Sequence, residues 1–196
     1  ERTKDRWKVT SLDGKRISIR GDIRGSVVSR NLLQGIKLAP VLGVFGEDAR
    51  LAFSGEDAML HDGQTTVYFR TVDGNYFDVE RLLAKPVYTA AVSRAELQEA
   101  FTLALGILQS GEPARLVMDG DQVRVQAAGT ASLDCEIPAA YDGDRTRAVP
   151  IGLNPKYLLD ALKTLEGETV RLQVSDACVT MEEPGRLELI CLCRIR

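Results

Sequence analysis

The strongest constraint on the fold is the stretch 152–165, the last of three occurrences of one local pattern. Asn154 can cap a helix through its side-chain oxygen, Pro155 suits the first helical position, and Leu158, Leu159, Leu162 and Leu165 fall on one face at helical spacing. Gly167 is the expected stop. Val28-Ser29-Arg30-Asn31-Leu32-Leu33 and Val92-Ser93-Arg94-Ala95-Glu96-Leu97 repeat the order of short strand, polar cap and leucine-rich helix, and Ser93 and Glu96 have capping-box spacing. The caps lie roughly sixty residues apart, and each helix precedes strand-like segments broken by Gly and Asp.

Around these repeats the chain reads as follows. Residues 7–23 are a hairpin, with Trp7, Val9, Ile17 and Ile19 alternating with polar residues about the Asp13-Gly14 turn. The first copy places a helix at about 29–44, with Pro40 and Gly43 predicting a kink or early stop, then strands near 49–53, 58–61 and 65–71. Residues 72–86 carry neither helical nor strand period and form a connector. Second-copy strands fall at 115–119, 122–127 and 131–137, and residues 141–147 form a turn-rich bridge. The last copy ends in strands at 169–174, 179–182 and 187–195. Helices packed on one side of antiparallel sheets make an α+β fold.

At 196 residues and 44% hydrophobic content, the chain can bury sizeable cores as one large or two small domains. No apolar run approaches a membrane span, and residues 1–6 lack the apolar stretch of a signal peptide, so a soluble cytoplasmic protein without membrane contacts is expected. Cys135, Cys178, Cys191 and Cys193 lack zinc-knuckle spacing and read as reduced packing residues. On a strand, Cys191 and Cys193 would point to one face. His61 sits in an alternating strand beside a turn, a structural position. Asp119, Asp121, Asp142 and Asp144 flank glycines as turn residues. No nucleophile-base arrangement, phosphate-binding glycine loop or paired metal motif stands out, so neither enzymatic activity nor a cofactor or metal is expected.

Four segments, in order, resemble the bacterial sliding clamp family, the β subunit of DNA polymerase III. Residues 153–163 are similar to its phenylalanine-asparagine-x-x-tyrosine-leucine-leucine-aspartate-x-leucine-lysine signature, with Leu153 in place of the aromatic. Residues 72–78 are similar to its interdomain segment, with Phe77 where the family has proline. Leu12-Asp13-Gly14-Lys15-Arg16-Ile17 is similar to its threonine-aspartate-glycine-histidine-arginine-leucine hairpin, with Lys15 replacing histidine. Cys191-Leu192-Cys193-Arg194 stands where the family has methionine-proline-methionine-arginine.

The resemblance implies a DNA-clamp fold of repeated strand-helix-three-strand units. Residues 1–85 would be a partial second clamp-like domain, lacking its first strand-helix-strand portion, and 86–196 the third, joined near Ala84. A fragment of a longer chain is therefore expected. The implied function is that of a non-enzymatic processivity factor whose hydrophobic groove takes motifs of DNA polymerase, clamp loader or repair proteins. By correspondence the groove residues are Leu12, Gly14, Lys15, Ile17, Phe77, Arg81, Leu82, Leu189, Ile190, Cys191, Leu192, Cys193 and Arg194. Aliphatic walls would bury leucine and phenylalanine anchors, with Arg81 and Arg194 available for polar groups.

The resemblance also implies a homo-oligomeric ring around duplex DNA, gripped without sequence specificity. The first helix would offer Arg30 and Lys37, the second Arg94, and the third Lys156 and Lys163. Counting Glu96, Glu99, Asp160 and Glu166 beside them, the three helices sum to about +1, which would hold DNA weakly. The alternative is a clamp-derived protein-binding or sensory module of a bacterial transcriptional regulator that no longer encircles DNA.

Overall fold

The computed structural model describes residues 1–76, 79–83, 85–143 and 149–195, with the side chains of Glu80 and Arg81 outside that description. In chain order the elements are β1 (Arg2–Thr3), β2 (Lys8–Leu12), β3 (Arg16–Gly21), β4 (Val27–Ser29), α1 (Gly35–Leu42), β5 (Arg50–Ser54), β6 (Asp57–His61) and β7 (Thr66–Arg70). A 3-10 turn (Val79–Leu82) leads into β8 (Tyr88–Ser93), α2 (Arg94–Ile107), β9 (Ala114–Asp119), β10 (Gln122–Ala128) and β11 (Ser132–Gly143). Then come β12 (Ile151–Leu153), α3 (Pro155–Leu162), β13 (Thr169–Val174), β14 (Cys178–Glu183) and β15 (Arg186–Cys191). The chain divides into two compact units, Glu1–Trp7 with Arg24–Asp78, and Lys8–Ile23 with Val79–Arg196.

The larger unit holds one antiparallel sheet in the order β12-β9-β10-β11-β8-β13-β14-β15-β3-β2. Its main core lies where α2 and α3 meet the sheet, and Leu97, Phe101, Leu158 and Leu162 pack there with Leu116, Val125 and Leu172, all buried. The sequence explains both helix starts. Ser93 Oγ accepts the Glu96 N–H at 3.3 Å, and Asn154 Oδ1 accepts the N–H groups of Lys156 and Tyr157 at 3.0 and 3.4 Å, with Pro155 at the first position. Helix α3 ends at Leu162 and not at Gly167, because Thr164 Oγ1 and the Leu165 N–H take the carbonyls of Ala161 and Leu162 in a tighter turn. Gly167 instead lies against Glu183, whose carboxylate accepts its N–H at 2.9 Å.

Residues 141–143 are strand, not bridge: Tyr141, Asp142 and Gly143 pair with Ala90, Thr89 and Tyr88. Gly143 has φ +135°, and a Cβ there would meet the Tyr88 Cα at 2.8 Å, so the backbone approach needs glycine. Asp142 is thus a ladder residue, while Asp119 and Asp121 flank Gly120 in the expected turn; Asp144 and the rest of the 141–147 bridge lie outside the described residues. Strands β2 and β3 form the expected hairpin, with Leu12 opposite Ile17 and Thr10 opposite Ile19. That register turns Val9, 63% exposed, away from the face that buries Ile17 and Ile19.

The smaller unit contains the β5-β6-β7 sheet, the β1–β4 pair and α1. Its first helix begins at Gly35, not near Ser29: Ser29 lies in β4, and the Leu32 carbonyl accepts the Val72 N–H at 2.8 Å, engaging that backbone outside a helix. Gln34 caps α1 without a side-chain bond, Pro40 sits inside it, and no α1 residue is buried. His61 Nδ1 lies 2.8 Å from Thr66 Oγ1, its cross-strand partner. Trp7 and Phe53 rings are 6.1 Å apart.

Candidate functional site

Strand β15 is the spine of the site. Alternation along it sends Leu187, Leu189 and Cys191 to one face and Ile190 and Leu192 to the other. On the first face Ile17 and Ile19 of β3, Cys178 of β14 and Val79 and Leu82 of the 3-10 turn complete a second, smaller core, apart from the helix-covered one. Its rim is partly open, since Leu82, Leu83 and Cys191 are only half-buried. The Cys178 thiol lies 3.6 Å from the Leu82 carbonyl, which accepts from it, tying the turn to the sheet.

Beyond β15 the backbone changes partner. Cys191 donates its N–H to the Lys15 carbonyl at 3.0 Å and Leu192 donates to Ala177 at 2.9 Å, while Cys193 reaches Gly152 at 2.8 Å. The tail thereby forms one wall of an open cleft of about 1240 Å³ that also involves Lys15, Asn154, Tyr157, Leu192 and Arg194. Cys191 belongs both to this cleft and to the apolar face of Ile17, Leu82 and Leu189. Arg16 fixes the geometry between hairpin and helix: Nε bonds Asp13 at 2.7 Å, a terminal nitrogen bonds Asp160 at 2.9 Å, and the guanidinium lies 4.6 Å from the Tyr157 ring centre. Burial opposes the Arg16 charge, but Asp13 and Asp160 outweigh it and raise its pKa. Burial works to raise the Asp13 carboxyl as well, but Arg16 and the N–H groups of Lys15 and Arg16 hold it below the usual range.

The described groove residues therefore fall into three groups. Lys15, Cys191, Leu192, Cys193 and Arg194 line the cleft, and Leu82 stands at the rim of the apolar face. Ile17, Leu189 and Ile190 are buried, so they support the surface from within; Ile190 does so on the helix side. Leu12 and Gly14, with φ +80° at the hairpin turn, are exposed but do not line the cleft. Phe77 and Ala84 lie outside the described residues, as does the Arg81 side chain. Asn154, Tyr157 and Arg16 join the site only through the fold, although all three stand inside the segments that carry the resemblance.

The expected DNA-facing cations are also unequal. Arg30 is not on α1; it bonds Glu1 at 3.1 Å and lies 4.7 Å from the Tyr76 ring centre. Arg94 Nε donates to the Gly167 carbonyl at 2.7 Å. Lys37, Lys156 and Lys163 are exposed, Lys163 lying 3.8 Å from Asp160. Among the described residues no group of three or more His, Cys, Asp or Glu side chains could hold a metal, and no helix is long and apolar enough to cross a membrane.

Antiparallel sheets with helices on one side, built from repeated strand-helix-three-strand units, define the DNA-clamp fold. The fold is shared with the DNA polymerase III β subunit of Thermotoga maritima, at 20% identity and TM-score 0.83 over 96% of this chain and 55% of that one. It is shared also with a putative β subunit of Eubacterium rectale, at 22% identity and TM-score 0.82 over 95% and 54%. The family model described as DNA polymerase III beta subunit, C-terminal domain, matches residues 84–186, and the chain belongs to that family. The beta sliding clamp of Proteus mirabilis is 27% identical over 186 residues, covering 89% of this chain and 50% of the relative. The chain thus spans about half the length of the relatives it matches.

Proposed function

We propose that this chain acts as part of a sliding-clamp-type processivity factor, a non-enzymatic protein that tethers polymerase, clamp-loader or repair proteins through short peptide motifs. The observation that carries the reading is the position of Cys191, where a half-open apolar face with Leu82 at its rim meets the cleft bounded by Lys15, Tyr157 and Arg194. A leucine or phenylalanine anchor gains most from such a partly formed apolar pocket, and flanking cations suit the polar ends of a peptide. Family membership supports the same role, with 1–85 and 86–196 as portions of two successive clamp domains of a ring-forming protein. The regulator alternative draws no support from the relatives.

Lys37 and Lys156 are exposed to phosphates and Lys163 is exposed beside Asp160, whereas Arg30 and Arg94 have closer partners within the chain. DNA binding should therefore be weak and fall steeply as salt rises. The groove is tested by fluorescence polarisation with a labelled peptide of the glutamine-leucine-x-leucine-phenylalanine type. Leu82→Ala should weaken binding about tenfold, roughly 1.4 kcal/mol; equal affinity in the variant would remove Leu82 from the groove.

A further inference from the structure

Cys178 and Cys191 stand directly opposite each other at the open end of the β14–β15 hairpin. The backbone decides how close they are. The Cys178 N–H donates to Ser175 Oγ at 3.1 Å, its carbonyl accepts the Ser175 N–H at 2.9 Å, and the Cys191 N–H goes to Lys15. The two residues therefore exchange no hydrogen bonds with each other. In an antiparallel ladder such a non-hydrogen-bonded pair has its Cα atoms about 4.5 Å apart with side chains on one face. A disulfide needs a Cα separation of about 4.4–6.8 Å, so the pair falls within the bonding range without moving the backbone far. Both side chains belong to the same apolar cluster, and both are free thiols. Cys193 is outside that apolar cluster, and its backbone pairs with Gly152 instead.

We infer that Cys178 and Cys191 form a reversible disulfide that acts as a redox-controlled clip at the β14–β15 end. Cys191 is the half-buried member that borders the cleft, so it meets the oxidant; Cys178 is buried and resolves it. With a peroxide as oxidant, the Cys191 sulfur attacks one peroxide oxygen, the O–O bond breaks, and water leaves, giving a sulfenic acid. The Cys178 sulfur then attacks the Cys191 sulfur, the S–OH bond breaks, and a second water leaves. Two thiols and one hydrogen peroxide become one disulfide and two waters, the two electrons passing from sulfur to the peroxide. A dithiol reductant reverses the bond by exchange and is itself oxidised to a disulfide. Burial, with Cys178 adding to it, raises the Cys191 thiol above its ordinary pKa, which lowers its thiolate fraction and makes the first attack slow.

The bond removes the only S–H that Cys178 has to offer the Leu82 carbonyl. Oxidation should therefore loosen the Val79–Leu82 turn; an effect on peptide binding would follow as well, but that consequence alone rests on the proposed groove.

The test treats the full chain with hydrogen peroxide, blocks remaining thiols, and maps tryptic peptides without reduction. The expected product links 172–186 to 187–194, with the loss of two hydrogen masses, survives in Cys193→Ser, disappears in Cys191→Ala, and is undone by dithiothreitol. A link that persists in Cys191→Ala, or recovery of Cys191 as sulfinic acid with no link, overturns the pairing. Hydrogen exchange across 79–83 should be faster in the linked form; equal exchange overturns the coupling to Leu82. A clamp-type peptide that fails to bind even the reduced chain counts against the groove and leaves the crosslink result standing.

Discussion

Helices α1 and α3 are both eight residues long, both follow a short strand, and both are rich in aliphatic residues, yet they have opposite fates. Helix α3 buries Pro155, Leu158, Leu159, Ala161 and Leu162 beside α2 and the sheet. Helix α1 buries nothing, and its Ile36 is 90% exposed. The local signals differ too, since Asn154 caps α3 with two bonds and Gln34 caps α1 with none. An apolar helical stripe stabilises a fold only through what covers it, and a cap adds about 1 kcal/mol to that.

The sharpest test of that contrast is truncation on each side of it. Leu162→Ala, at a fully buried position of α3, should lower stability by about 2–5 kcal/mol in denaturant unfolding, while Ile36→Ala should stay within about 0.5 kcal/mol. Comparable losses would mean that α1 is covered in solution. Next in size is Gly143→Ala, where a positive φ and the 2.8 Å approach to Tyr88 predict a loss of about 1–3 kcal/mol by thermal melting.

The caps give a smaller and more local comparison. Asn154→Ala should cost about 1 kcal/mol, and Gln34→Ala nothing measurable, by circular dichroism melts of the two variants. The smallest effect is on acid stability. The Glu183 carboxyl is held below its ordinary value of 4.5, chiefly by the Glu166 N–H and then the Gly167 N–H, against partial burial. Its contribution is full above the unfolded-state pKa and is lost as pH falls through the lower folded-state value. Glu183→Gln should therefore be less stable at neutral pH and lose less on acidification.

What could be read from sequence was what lies within a few residues. Asn154-Pro155, Ser93, the Asp13-Gly14 turn and the period of each strand marked their elements directly. The start of α1 could not be read, because Leu32 is held by Val72 far along the chain, and neither could the long run of β11, because Gly143 serves a backbone approach and not a turn. The same limit applied to the site. Family correspondence points to β15 and the hairpin, but the sheet's alternation is what turns Ile190 to the opposite face, and cover by neighbouring strands is what separates half-buried Cys191 from Leu189, buried on the same face. Arg16 emerged as the tie between Asp13, Asp160 and Tyr157 only once the hairpin and α3 were seen side by side.

The most direct measurement is polarisation binding of the clamp-type peptide to reduced, folded protein, with Leu82→Ala in parallel. Saturable binding that weakens about tenfold in the variant is the expected result. No saturable binding by protein that retains its native circular dichroism would contradict the proposal that the face beside β15 is a peptide groove.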